Sequence, residues 1–250
     1  MELNLENKTA IVTGGSKGIG AAIAKALAAE GVAIVVNYAS DKENADNVVK
    51  GILDIGGKAI AVQGDASNEN DVKKIFAMTK DHFGSLNIVV NNAGIYQFSR
   101  IEDFEVAKFQ QFFNTNVLSV FLTTKEALNY FPDAGGNIVN IGAVLSHNPN
   151  INGSLYAATK AAVDTLTMAF AKELAARHIR VNTVAPGPTI TEGSKKMTKN
   201  QSSGSMDITK MIPLGRLGTP EDIAKVVVFL TSDASGWITG ERINASGGMR

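Results

Sequence analysis

Short aliphatic and β-branched runs alternate along the chain with longer segments whose apolar residues recur every three or four positions. The short runs predict buried strands at residues 9–13, 32–36, 58–62, 87–90, 137–141, 179–184 and 242–244. The longer segments predict helices at about 19–30, 41–55, 70–83, 105–131, 157–176 and 220–230. Strands that alternate with helices form a parallel sheet covered on both faces, so we predict an α/β fold, a Rossmann-like doubly wound parallel sheet flanked by helices. No linker or repeat interrupts residues 1–250, which we take as a single domain.

Composition narrows the classes of function. The 250 residues are 44% hydrophobic, as in an ordinary globular protein, and the 24 basic residues balance the 24 acidic ones. A net charge of zero gives no reason to expect nucleic acid or a membrane as a partner. The chain has no cysteine, which excludes disulfides and thiol nucleophiles and agrees with a cytoplasmic location. Its three histidines are far apart in sequence, so no metal site is expected.

A glycine-rich turn follows the first predicted strand. Gly14, Gly18 and Gly20 lie between that strand and a predicted helix. Glycines let a pyrophosphate approach the backbone, and the helix N-terminus supplies amide donors and partial positive charge. The turn therefore predicts a dinucleotide site.

The end of the second predicted strand bears on the choice of dinucleotide. An acid at this point would bond the ribose 2′-hydroxyl of NAD(H) and repel a 2′-phosphate, but the chain has Asn37. Lys17 and Ser40 could both bind a phosphate, so we predict NADP(H) over NAD(H). Asp65, after the third strand, is expected to accept from the adenine amino group.

Tyr156 and Lys160 are the candidate catalytic pair. They are four positions apart at the start of a predicted helix, so they share one face. A cation at about 4 Å, with an effective dielectric near 20, is worth roughly 4 kcal/mol. This would lower the pKa of a phenol by about three units and make Tyr156 a usable proton donor and acceptor.

These motifs together resemble the short-chain dehydrogenase/reductase family over essentially the whole chain, especially bacterial 3-oxoacyl-carrier-protein reductases, glucose dehydrogenases and ketoreductases. The matching pieces are residues 13–20, Asn91-Asn-Ala-Gly94, Asn116, Tyr156-x-x-x-Lys160, Pro186-Gly187 and residues 215–222. Each is weak alone, but their order and spacing are specific.

The resemblance implies a hydride transfer between a nicotinamide and a carbonyl carbon, with Tyr156 protonating the new alkoxide. Lys160 would hold the nicotinamide ribose and lower the Tyr156 pKa, and Asn116 would hold a water that links Lys160 to solvent. Strand ends and resemblance together give the expected cofactor contacts: Gly14, Ser16, Lys17, Gly18, Ile19, Gly20, Asn37, Tyr38, Ala39, Ser40, Asp65, Ala66, Asn91, Ala93, Gly94, Tyr156, Lys160, Pro186, Gly187, Thr189 and Thr191.

One position departs from the family. A catalytic serine is expected thirteen residues before the tyrosine, and Ala143 stands there. Losing one placed donor to a developing oxyanion costs about 3–4 kcal/mol. Three explanations are open: an engineered change, a natural one in which Ser146 or Ser154 reaches in, or a protein that binds cofactor without turnover.

The sequence therefore predicts an NADPH-dependent reductase of a ketone or aldehyde. The alternatives are a 3-oxoacyl-thioester reductase and a non-catalytic NADP(H)-binding protein. The resemblance also implies a homotetramer that packs through the 105–131 and 157–176 helices. Residues 188–212, with methionines in a polar segment, are a candidate mobile flap over the substrate.

Overall fold

The computed structural model describes residues 2–192 and 207–249. The strands in this part of the chain are β1 (Thr9–Val12), β2 (Ala33–Tyr38), β3 (Ala59–Gln63), β4 (Ile88–Asn91), β5 (Gly136–Ile141), β6 (Ile179–Pro186) and β7 (Arg242–Ala245). The α-helices are α1 (Gly18–Ala29), α2 (Lys42–Leu53), α3 (Glu69–Phe83), α4 (Val106–Phe113), α5 (Ser119–Ala127), α6 (Ser154–Leu174) and α7 (Pro220–Thr231). Short 3₁₀ turns lie at Ile101–Asp103, Val144–Ser146, Ala175–Arg177, Ile208–Met211 and Asp233–Ser235.

The strands form one parallel sheet of order β3-β2-β1-β4-β5-β6-β7. Side chains of a strand point alternately to its two faces, and both faces are buried here. Val12 and Val36 belong to a core with α1, α2 and α7, whereas Ile11 and Val35 belong to a second core with α3, α5 and α6. The predicted α/β fold with a doubly wound parallel sheet is confirmed.

The strand order reverses direction between β1 and β4, which pair directly through Val12 and Val90. In open α/β sheets, ligands bind in the crevice beyond the carboxyl ends of the strands at such a switch point. The glycine-rich turn follows β1, and the Asn91–Gly94 segment begins at the end of β4. The topology therefore brings these two motifs to one crevice.

The prediction of one continuous α-helix over residues 105–131 is wrong in one respect. Two α-helices, α4 and α5, are joined by a π-helical turn at Asn114–Leu118. Such turns are rare and occur often at functional sites, where they re-aim a side chain. Here the turn carries Asn116, which is buried and bonds a neighbouring loop.

No helix in the described residues is long and apolar enough to span a bilayer. Residues 193–206 of the predicted flap lie outside the described part of the chain. Within the described part, the 3₁₀ turn at Ile208–Met211 follows, and Met211 is exposed.

Candidate active site

Glycines shape the turn between β1 and α1. Gly14 and Gly18 adopt left-handed backbone angles, with φ of +59° and +56°. A Cβ on Gly20 would lie 2.4 Å from the Gly14 carbonyl oxygen, so the first turn of α1 packs directly on the loop. Lys17 occupies the N-cap of α1 without a side-chain cap hydrogen bond. The amides of this helix end are therefore not capped by a side chain, and they suit a pyrophosphate.

Thr13 and Asn92 hold the turn against the end of β4, and neither was among the predicted site residues. The Thr13 hydroxyl donates to the Val90 carbonyl and accepts from the amides of Asn92 and Ala93, both at 3.0 Å. The Asn92 side-chain amide donates to the carbonyls of Thr13 and Gly14, both at 2.9 Å. Their adjacency to the two glycine motifs was the available signal, because side-chain amides and hydroxyls in a turn commonly bond backbone.

Tyr156 and Lys160 lie on one face of α6, as their spacing predicts. The Lys160 Nζ is 5.9 Å from the centre of the Tyr156 ring and donates to the Ile141 carbonyl at 2.7 Å. A Cβ on Gly94 would lie 3.5 Å from the same Nζ. The crevice therefore brings together the end of β4, the end of β5 and the first turns of α6.

The expectation that Lys160 lowers the pKa of Tyr156 is wrong in this arrangement. Burial, and secondarily the neighbouring Tyr96 phenol, raise the pKa of Tyr156 above its usual value. Burial also lowers the pKa of Lys160 to about 8. Desolvation penalises the charged form of each group, and the amine points to a backbone carbonyl rather than to the phenol. The proton therefore rests on Tyr156 at neutral pH.

Asn116 is directed from the π-helical turn into the crevice. Its Oδ1 accepts from the Ile95 amide at 2.8 Å, and its Nδ2 donates to the Ile95 carbonyl at 2.9 Å and to Thr159 Oγ1 at 3.0 Å. These bonds tie the loop after β4 to the turn of α6 between Tyr156 and Lys160. Its expected water-holding role stays a prediction, but the side chain does join the predicted pieces of the site.

Ala143 lies just after β5, is buried, and offers only a methyl group as side chain. The Ser146 hydroxyl bonds Asp164 Oδ2 at 2.5 Å and the Ala143 carbonyl at 2.9 Å, so it does not reach in as a substitute. Ser154 is the exposed first residue of α6. It lies two positions before Tyr156, about 200° away around the helix. Neither serine supplies the expected hydroxyl.

Asp164, one turn after Lys160, and Arg242 of β7 form a buried ion pair that the sequence did not indicate. The Arg242 Nε–Asp164 Oδ2 distance is 2.9 Å, and the same guanidinium donates to the Ala143 carbonyl at 3.0 Å. Burial raises the pKa of Asp164, although Ser146 and Arg242 act against the shift. The pair fixes residues 143–146 to α6 and the edge of the sheet.

The expectation that the Asn37 side chain contacts the cofactor is wrong, because this side chain is buried against β3. Asn37 is 2% exposed, and its Nδ2 donates to the carbonyls of Val62 and Gly64 at 3.3 and 2.9 Å. Its own carbonyl accepts from the Gly15 amide at 2.8 Å. Asn37 therefore closes the end of β2 against β3 and supports the glycine-rich turn.

The Asn91 side chain is likewise structural. Its Nδ2 donates to Asn140 Oδ1 at 2.9 Å, and its Oδ1 accepts from Thr123 at 2.7 Å. Only the backbone of this residue is placed to meet a ligand in the crevice. The expected cofactor contact is therefore corrected for its side chain.

The predicted phosphate and adenine contacts lie at the mouth of the crevice. Lys17 is mostly exposed, and its Nζ is 3.2 Å from Asp41 Oδ2. Ser40 is exposed, two residues after the buried Tyr38. Asp65 is exposed, and its Oδ1 accepts from the Ser67 amide and hydroxyl at 2.8 and 2.7 Å. The remaining members of this group lie nearby: Ser16 and Ala66 are buried, and the Ala39 carbonyl accepts from Gln63.

The segment after β6 returns to the glycine-rich turn. The Thr189 hydroxyl donates to the Gly187 carbonyl at 2.9 Å, and Gly187 follows Pro186, the last residue of β6. A Cβ on Gly18 would lie 3.5 Å from a methyl of Thr191. The structure therefore places Thr191 beside the glycine-rich turn, whereas the Thr189 hydroxyl bonds the backbone that follows β6.

Comparison with known proteins agrees with this geometry. Residues 14–250 match the family model described as enoyl-(acyl carrier protein) reductase. The chain is 47% identical to an uncharacterized oxidoreductase of Methylorubrum extorquens, over 98% of this chain and 99% of that one. It is 40% identical to a 3-oxoacyl-[acyl-carrier-protein] reductase of Synechocystis, over 98% of both chains.

A solved structure extends the likeness to the backbone. The chain matches a short-chain dehydrogenase from Burkholderia cenocepacia in complex with NADP, with a TM-score of 0.90, 35% identity and 98% coverage of both chains. Matched motifs, sheet order and near-complete coverage lead to one conclusion. The chain belongs to the short-chain dehydrogenase/reductase family of oxidoreductases.

Proposed function

We propose that this chain is an NADPH-dependent carbonyl reductase, which reduces a ketone or aldehyde to an alcohol and runs in reverse as an alcohol dehydrogenase. The observation that supports it best is the Tyr156–Lys160 pair, with the amine 5.9 Å from the ring centre, beside an uncapped helix end and a glycine-rich turn. A nicotinamide bound in this crevice would supply hydride to the carbonyl carbon.

The protein's part in this reaction is positioning and proton transfer. The raised pKa of Tyr156 keeps its phenol protonated at neutral pH, so the phenol can donate to the substrate oxygen as charge develops there. With a pKa of about 8, Lys160 is mostly cationic at pH 7. Its charge stabilises the phenolate that is left after the proton has moved.

NADPH over NADH is supported by Lys17. Its exposed ammonium lies 3.2 Å from Asp41, the residue after Ser40, and it would exchange this carboxylate for a 2′-phosphate bound at the end of β2. The related structure from Burkholderia cenocepacia is a complex with NADP. Lys17→Ala should therefore weaken NADPH binding at least tenfold and leave NADH binding within about twofold. Equal losses for both cofactors would count against this geometry.

The test of the reaction is loss of NADPH absorbance across a panel of ketones and aldehydes. We expect turnover in the parent and a loss of at least about 10²-fold in Tyr156→Phe, which keeps the ring and removes the proton donor. Undiminished reduction by Tyr156→Phe would refute the assigned role.

Reduction of a 3-oxoacyl thioester is the second candidate, and the 40% identity to the Synechocystis reductase favours it. A carrier-linked substrate that is turned over faster than simple ketones would support this alternative. A non-catalytic NADP(H)-binding protein is the third candidate, and Ala143 is its support. NADPH binding without any NADPH consumption across the panel would favour that reading.

We also propose a homotetramer. α4, α5, α6 and the π-helical turn carry exposed apolar side chains, among them Phe109, Phe121, Met168 and Leu118. Contiguous exposed apolar residues are typical of protein interfaces. Light scattering at micromolar concentration should give four times the chain mass, and a monomer would refute the proposal.

A further inference from the structure

Reduction of a carbonyl builds negative charge on its oxygen, and the family meets this charge with a serine and a tyrosine. Ala143 cannot donate, Ser146 is bonded to Asp164, and Ser154 is exposed on another side of α6. If the chain is a reductase, as proposed above, a second donor has to come from elsewhere in the crevice.

Tyr96 stands next to the catalytic phenol. The Tyr96 and Tyr156 ring centres are 6.2 Å apart, with the rings edge-on. The two phenols are close enough that ionisation of Tyr96 would raise the pKa of Tyr156. Phe98 also packs edge-on to Tyr156, at 6.4 Å, and completes an aromatic wall around it.

The backbone before Tyr96 is held firmly in place. Asn116 bonds both the amide and the carbonyl of Ile95 and also bonds Thr159, one turn from Tyr156. This clamp fixes the loop that carries Tyr96 relative to the helix that carries Tyr156. A donor to an oxyanion has to be placed before the reaction, and the clamp provides such placement.

The Tyr96 hydroxyl is oriented and protonated. Burial raises its pKa, and a hydrogen bond with the Thr191 side chain acts in the opposite direction. A phenol can accept from one neighbour and still donate its own proton. Tyr96 is 41% exposed, which leaves its edge open to a substrate.

We propose that Tyr96 is a second catalytic hydrogen-bond donor, which binds the substrate oxygen together with Tyr156. Its hydroxyl would supply the hydrogen bond that Ala143 cannot make. The site would then use two phenols in place of a serine and a phenol.

The first test is Tyr96→Phe, which removes one hydroxyl and keeps the ring in the aromatic wall. We expect kcat for ketone reduction to fall on the order of 10²-fold while KM changes by less than about threefold. The NADPH dissociation constant, measured by calorimetry, should not change. The matched control is Tyr130→Phe, because Tyr130 lies beyond α5 and packs on Phe76, and it should keep full activity. Unchanged kcat in Tyr96→Phe would overturn the proposal.

The second test asks whether Tyr96 replaces the missing serine. In an Ala143→Ser background, the cost of Tyr96→Phe should shrink to less than about tenfold, because the new hydroxyl takes over the donation. An equal cost in both backgrounds would show a merely structural role and would overturn the proposal. The proposal would also be overturned if the parent were inactive and Ala143→Ser restored its activity, although the reductase function would then stand. Inactivity of both chains on every carbonyl tested would instead refute the reductase function itself.

Discussion

Replacing Arg242 with methionine removes the charge that neutralises the buried carboxylate of Asp164. The Asp164 side chain is 7% exposed and that of Arg242 is 14% exposed. Asp164 Oδ1 has no hydrogen-bond partner among the described residues. Without the guanidinium, the carboxylate would keep the Ser146 hydroxyl, and the Ala143 carbonyl would lose a donor.

The expected loss of stability is large. Removing one partner of a buried ion pair costs about 3–5 kcal/mol, because it leaves an uncompensated charge. Since the Ser146 bond remains, we expect the lower end, about 3 kcal/mol at pH 8. For a chain of this size, that corresponds to a fall of about 6–12 °C in the unfolding midpoint.

The pH dependence has a definite sign. Burial already raises the pKa of Asp164, and loss of Arg242 would raise it further. A carboxyl whose folded pKa exceeds its unfolded pKa stabilises the fold at low pH, and this contribution is lost as pH rises through the folded pKa. The deficit of Arg242→Met against the parent should therefore be largest at about pH 8 and smaller at about pH 5.

Urea denaturation at both pH values, at fixed protein concentration, measures this deficit. The matched control is Arg216→Met, because Arg216 pairs with Asp222 at 2.6 Å with its own side chain 57% exposed. An exposed pair is typically worth about 0–1 kcal/mol. A deficit in Arg242→Met no larger than that of the control, and equal at both pH values, would refute the reasoning.

Three further variants test other parts of the structure. Gly20→Ala would set a methyl 2.4 Å from the Gly14 carbonyl oxygen, so urea denaturation and calorimetry should show about 1–3 kcal/mol lost and weaker NADPH binding. Asn37→Asp would place a carboxylate against the carbonyls of Val62 and Gly64. A loss of less than about 1 kcal/mol in the free energy of unfolding would contradict the burial of this side chain. Burial lowers the pKa of Lys160 from 10.5 to about 8. The buried charge therefore destabilises the folded parent below pH 8, and this destabilisation decreases as pH rises toward 10.5. Lys160→Met should therefore gain about 2 kcal/mol at pH 7 and less at high pH, in the same denaturation assay.

The fold was predictable because its signals are local. Buried strands such as β2 begin with a continuous apolar run, here Ala33–Val36. α7 begins at Pro220 with a capping box formed by Thr219 and Asp222. The strand–turn–helix arrangement placed the glycine-rich turn at the sheet's carboxyl edge. Helical spacing alone put Tyr156 and Lys160 on one face.

The remaining features depend on contacts between distant positions. Asp164 and Arg242 are 78 residues apart, and nothing in either segment indicates the other. Asn37 sits at the expected strand end, but its orientation depends on the carbonyls of β3. The π-helical turn carries no local sequence signal, and the bonds from its Asn116 to Ile95 join positions 21 residues apart. Spacing also could not give the direction of the Tyr156 pKa, because burial sets it.

The direction of the Tyr156 pKa bears on the pH dependence of the proposed reaction. A cation 5.9 Å from the ring centre is worth about 3 kcal/mol at an effective dielectric of 20. This attraction is outweighed here, because Lys160 is buried, Tyr156 is partly buried, and the Lys160 amine bonds the Ile141 carbonyl. Tyr156 therefore holds its proton at neutral pH, which is the form that the proposed carbonyl reduction requires. If the chain is the reductase proposed above, alcohol oxidation first has to remove that proton, so the rate of the proposed oxidation should rise with pH, whereas reduction already has its donor at neutral pH.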